Sequence, residues 1–171
     1  MNKLANLYLL FICLFYYLFR GGAKKVALNP KRIIILRWKP HMGDVVYTTP
    51  MFRAIKTRYP NSKLYVVGAG RVEEVIRHNP DVDEYISYEN NFLKTIRRLK
   101  KEKIDFACLT NTGSADGLAL LYLAGIKCIS AFTFVNDKPI PSFSYSFLAQ
   151  KIIGLPFYTG RYVPSQYLEL L

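Results

Sequence analysis

Residues 31–131 alternate between two hydrophobic periods. Ile33-Ile34-Ile35-Leu36 is an unbroken apolar run rich in β-branched residues, which predicts a strand over Arg32–Leu36 that is covered on both faces. A short break with Pro40 and Gly43 follows. Val45, Thr48, Phe52, Ile55 and Tyr59 then recur at three and four residues, which predicts a helix over Asp44–Tyr59 interrupted or kinked at Pro50. The alternation continues with strand Lys63–Val67, helix Val72–His78, strand Glu84–Tyr88, helix Phe92–Lys103, strand Ile104–Leu109, helix Ala115–Ala124 and strand Lys127–Ala131. Five strands separated by four helices predict an α/β fold with a doubly wound parallel sheet and right-handed crossovers. After Phe132 the regularity fades. Pro139, Pro141, Pro156 and Pro164 punctuate an aromatic-rich segment, read as irregular chain with one short helix over 145–153.

The N-terminus has a different character. Residues 4–19 are uncharged and almost wholly apolar. As a helix they would span about 24 Å, short of a bilayer core of about 30 Å. Tyr16, Tyr17 and Phe19 beside Arg20 resemble an interfacial belt, which favours a membrane anchor; a cleaved signal peptide ending near Gly21-Gly22-Ala23 and a buried core helix stand beside that reading. The expected organisation is an anchor helix over 1–20, a linker over 21–30, a globular domain over 31–135 and an irregular segment over 136–171.

Charge sharpens this picture. The 171 residues carry a formal net charge of +12. Eight basic and no acidic residues fall before Pro40, against 16 basic and 12 acidic residues after it. Such asymmetry points to an anionic membrane surface rather than nucleic acid, for which no recognition motif is present. The helix expected at 92–103 adds Lys94, Arg97, Arg98, Lys100 and Lys101 around Leu93, Ile96 and Leu99, a solvated face or a second membrane contact. Cys13, Cys108 and Cys128 are widely spaced in apolar settings and read as buried free thiols, consistent with a reducing compartment.

Several chemistries are excluded or weakened. Gly68-Ala69-Gly70 would place Glu73 at the third glycine of a dinucleotide fingerprint, and it follows the second strand rather than the first. No phosphate-binding GxxxxGK[ST] loop or GxSxG elbow occurs. His41 and His78 lack partner cysteines, so no metal site is expected; His78 suits a helix C-terminus. The sharpest candidate is Asp44, read as a helix N-cap at the carboxyl end of the first strand, where open α/β sheets bind ligands. An ionised carboxylate there can accept a proton from a substrate hydroxyl as a new bond forms. Arg37, Lys39 and His41 lie in the same loop and could hold an anionic acceptor.

Ile33-Ile34-Ile35-Leu36-Arg37, Met42-Gly43-Asp44-Val45-Val46, Thr49-Pro50 and Ala54–Pro60 together resemble the N-terminal domain of glycosyltransferase family 9, the bacterial lipopolysaccharide heptosyltransferases. Asn79–Glu84 and Leu120–Gly125 extend the resemblance over about residues 31–132. It implies the Rossmann-like N-terminal half of a GT-B fold and an inverting, metal-independent transfer of sugar from a nucleotide-sugar such as ADP-heptose. The partners would be a lipid-linked saccharide acceptor of the lipopolysaccharide core and the cytoplasmic face of the bacterial inner membrane. Asp44 matches the family's general base. Acceptor contacts would come from Arg37, Lys39, His41, Met42, Gly43, Thr48, Asn111, Thr112 and Gly113. No cofactor is implied: the nucleotide-sugar is a substrate, and its site lies in a C-terminal domain that these residues do not contain. Where the family often carries an acidic residue and a Gln-Gly pair after the fourth strand, this chain reads Thr110-Asn111-Thr112-Gly113. A fragment, half of a split enzyme and a degenerate relative all remain open. So do two other classes, a membrane-tethered glycolipid-binding module without catalysis and an unrelated Rossmann-like nucleotide-binding protein.

Overall fold

A computed structural model of the chain describes residues 29–37, 42–70, 72–88 and 91–171, together with Phe11. The expected anchor helix, most of the linker and Cys13 lie outside the described residues. The elements are β1 (Arg32–Leu36), α1 (Met42–Arg58), β2 (Lys63–Gly68), α2 (Val72–Ile76), β3 (Glu84–Ser87), α3 (Phe92–Glu102), β4 (Phe106–Leu109), α4 (Ala115–Leu123), β5 (Cys128–Val135), β6 (Lys138–Pro139), α5 (Phe143–Leu148), a 3-10 turn (Ala149–Lys151), β7 (Ile153–Phe157) and α6 (Val163–Leu168). Parallel pairing gives the strand order β3-β2-β1-β4-β5-β7. β6 pairs antiparallel with the far end of β5, at Phe134 and Val135.

Alternate side chains of each strand enter two cores, as the two-residue period requires. Ile34, Leu36, Tyr65, Val67, Ala107 and Leu109 face Ile96 and Leu99 of α3, Leu118 and Leu121 of α4, and Tyr145 and Leu148 of α5. Ile33, Ile35, Leu64, Val66, Phe106 and Cys108 face Phe52 and Ile55 of α1, Val72 and Ile76 of α2, and Tyr167 of α6. Ile33 to Leu36 are fully buried, which is why the central strand shows no polar alternation. Cys108 and Cys128 are buried free thiols, as expected. No helix among the described residues is long and apolar enough to cross a membrane.

Three expectations need correction. First, α1 begins at Met42, so Asp44 lies within its first turn and is not its N-cap. Second, Pro50 sits inside α1 without ending it. The carbonyl of Val46, which would otherwise receive the missing N–H of residue 50, instead accepts the Thr49 hydroxyl at 2.8 Å. Third, the segment after Phe132 is more regular than the one short helix expected there, which is α5 with its 3-10 turn. The segment also supplies α6 and a further parallel strand, β7. Gly154 and Pro156 disguise that strand. Pro156 is tolerated because β7 lies at the sheet edge and pairs opposite Phe134, just past a register shift in β5.

The Phe132 carbonyl adjoins that irregularity and accepts the Tyr145 hydroxyl at 2.5 Å, joining α5 to the sheet. Tyr145 is fully buried. Tyr145→Phe should therefore cost about 1–2 kcal/mol by orphaning a buried carbonyl, read as a lower urea midpoint at unchanged slope.

At the opposite edge, Asp83 ties three elements together by accepting from Lys56 Nζ and the Leu64 N–H. Burial pushes its carboxyl up, but those two donors outweigh it and hold the group below its ordinary value. A depressed folded-state value stabilises the protein above the unfolded value of about 4 and loses that contribution as pH falls. Thermal melts between neutral pH and about pH 3 should show a shallower acid decline in Asp83→Asn than in the wild type.

Candidate functional site

The strand order reverses at β1: β2 and β3 extend to one side, β4 and its successors to the other. A crevice therefore opens beyond the carboxyl ends of β1 and β4, the place where such sheets take ligands. Among the described residues its walls are Arg37, the first turn of α1 and the loop Thr110–Gly113.

Arg37, the residue just after β1, is the centre of this crevice. Its backbone N–H continues the sheet by donating to the Val67 carbonyl at 2.9 Å. The side chain is only 4% exposed. Nη1 donates to the Thr110 carbonyl at 3.0 Å and to the Tyr167 hydroxyl at 3.3 Å, while Nη2 pairs with Asp44 Oδ2. One cation thus connects β1, the β4 loop, α1 and α6. Its Nε is buried and has no partner among the described residues. Tyr167 is itself nearly fully buried. Burial pushes its hydroxyl above the ordinary tyrosine value and the Asp44 carboxylate adds to this, while the Arg37 cation opposes both. It therefore stays a neutral phenol at physiological pH.

The Asp44 side chain remains 37% exposed. Oδ2 belongs to Arg37, and no bond from a described residue engages Oδ1. The carboxylate is thus fixed on one side and open on the other, a geometry suited to receiving a proton or a hydroxyl. Gly43 beside it is exposed, and a Cβ there would meet no atom within 4 Å.

The remaining expected site residues divide. Met42 opens α1, while Lys39 and His41 lie outside the described residues. Thr48 does not join the crevice: it is 1% exposed and its hydroxyl donates to its own helix, at the Val45 carbonyl, 2.7 Å away. Asn111, Thr112 and Gly113 form the opposite wall, with Asn111 nearly buried and Thr112 exposed. Gly113 has a φ of +72°, and a Cβ there would come within 3.1 Å of Ile140 Cγ2, so a side chain would strain this turn. Ser114 then caps α4, accepting from the Gly117 N–H at 3.2 Å. Elsewhere, Glu73 pairs with Arg77, and His78 lies exposed two residues past the end of α2.

The sequence reading missed Tyr167. Its signal was present in Val163-Pro164, a proline in the first turn of a helix, followed by Tyr167 four residues after Val163 and three after Pro164.

A six-stranded parallel sheet with a braced carboxylate at its switch point defines a Rossmann-like domain with a candidate site at its carboxyl edge. The same fold occurs in the crystal structure of the glycosyl transferase family 9 protein from Veillonella parvula, with a TM-score of 0.62 and 18% identity over 86% of this chain and 42% of that one. It also occurs in E. coli ADP-heptose LPS heptosyltransferase II, with a TM-score of 0.59 and 17% identity over 82% of this chain and 39% of that one. At such identities the likeness is one of fold, and the chain spans about two fifths of the length of either protein. No family model matches the sequence, and no curated protein matches it.

Proposed function

We propose that this chain is the acceptor-binding part of a glycosyltransferase of heptosyltransferase type, acting at the cytoplasmic face of a bacterial inner membrane. The observation that carries the reading is the Arg37–Asp44 pair at the switch point, buttressed by Thr110 and Tyr167 and open on one side. The fold shared with a glycosyl transferase family 9 protein and with an ADP-heptose LPS heptosyltransferase supports it. An acceptor saccharide hydroxyl would lie against Asp44 Oδ1 while Arg37 keeps the carboxylate aimed. As the hydroxyl oxygen bonds to the anomeric carbon, its proton passes to Asp44 and the bond from that carbon to the nucleotide phosphate breaks, with inversion. This step places no requirement on a resident metal. Gly43 and the 111–113 loop would border the acceptor, together with Lys39, His41 and Met42. The nucleotide-sugar would be held by a separate domain facing this crevice.

The same ion pair supports a second reading. If Arg37 and Asp44 serve only to brace α1 against α6, the chain is a glycolipid-binding module without transfer chemistry.

The deciding experiment measures sugar transfer from ADP-heptose to a heptose-deficient lipid A acceptor, with the chain alone and with a nucleotide-sugar domain supplied in trans. Transfer that requires both partners supports the first reading. Acceptor binding without transfer in any combination leaves the second.

A further inference from the structure

α3 is sorted into two faces. Thr95, Ile96 and Leu99 are buried against the sheet. One flank is neutralised internally: Arg98 binds Glu84 at 2.5 Å and Glu102 at 3.0 Å, and Glu102 accepts the Tyr65 hydroxyl at 2.7 Å. Among the described residues of α3 the outward face carries no acid. At 100° per residue, Lys100, Leu93, Arg97, Lys101 and Lys94 follow one another around about a third of the helix, and all five are exposed. Leu93 stands among the four cations with 63% of its surface in solvent.

We propose that this face of α3 docks the domain on an anionic phospholipid bilayer. Arg97 and Lys101 complement the negative surface potential, and Leu93 inserts at the boundary between headgroups and acyl chains. A nucleic-acid phosphate surface would satisfy the cations but offers an exposed leucine nothing, so the leucine decides between the two partners. α3 also starts at the carboxyl edge of β3, and the Arg37–Asp44 crevice opens at the same edge of the sheet, two strands away. The proposal is independent of any transfer activity, because it needs no saccharide.

The test is co-sedimentation of the full chain with vesicles of phosphatidylcholine, with and without about 30% phosphatidylglycerol, at about 0.05 M and about 0.3 M salt. The wild type should bind the anionic vesicles at low salt and release at high salt. Each neutralised cation should lower the partition about fivefold, so Arg97→Gln/Lys101→Gln should lose about 25-fold. The pair Lys127→Gln/Lys138→Gln removes the same charge from exposed positions outside α3 and should lose far less. Leu93→Ala should weaken binding to the anionic vesicles at low salt. Equal losses in the two double variants would reduce the effect to net charge and overturn the docking face. So would unchanged partition of Arg97→Gln/Lys101→Gln, or tighter wild-type binding to a DNA duplex than to the anionic vesicles.

Discussion

Arg37→Met is expected to lower the unfolding free energy by about 3 kcal/mol. The substitution conserves most of the buried volume but removes every donor that holds the crevice together. The Thr110 carbonyl loses its guanidinium donor, the Tyr167 hydroxyl loses a partner inside the core, and Asp44 loses its countercharge. Each orphaned buried group costs about 1–3 kcal/mol, with Asp44 at the low end because water reaches it. Arg37→Lys should recover less than half of the loss. An ammonium is a single donor point and cannot reach the Thr110 carbonyl, the Tyr167 hydroxyl and Asp44 from one position. Urea unfolding reads both variants. Hydrogen exchange should additionally show α6 opening more readily in Arg37→Met, since Tyr167 anchors that helix to the sheet. A midpoint shift equivalent to less than about 0.5 kcal/mol would mean that the brace carries no stability.

Much of this architecture was readable before any coordinates, for identifiable reasons. β1 declared itself because Ile33 to Leu36 are buried on both faces, and α3 because its buried and charged residues alternate with helical period. Asp44 was readable as a candidate because strand, break and helix followed one another so closely. Its actual partner was not. An aspartate within a first turn can cap backbone or reach back to the preceding strand, and only the depth at which Arg37 is buried decides between them. β7 was hidden because local propensity opposes it. Gly154 and Pro156 are poor strand residues, and it is the pairing with β5, an interaction between distant residues, that recruits them. Thr48 illustrates the reverse error. The family resemblance implied an acceptor contact there, whereas the buried hydroxyl bonds to its own helix.

Asp44→Asn should separate chemistry from architecture. The asparagine oxygen still accepts from Arg37 Nη2, so the brace between β1 and α1 persists in neutral form and stability should fall by only about 1 kcal/mol. Acceptor affinity should stay within a few-fold, because the amide still offers hydrogen bonds on its open side. Transfer, measured with a nucleotide-sugar domain supplied, should drop about 100- to 10,000-fold, since an amide cannot take the proton of the attacking hydroxyl. Arg37→Met should also lose transfer, but together with stability and acceptor binding, because it releases the carboxylate from its position. The two variants therefore bracket the site: one removes the base and keeps its setting, the other removes the setting and keeps the base. If Asp44→Asn transfers sugar at the wild-type rate, Asp44 is a structural partner of Arg37 and the proton acceptor must be sought elsewhere on the carboxyl edge. If it loses transfer while melting and acceptor binding hold, the carboxylate acts on the reacting hydroxyl itself.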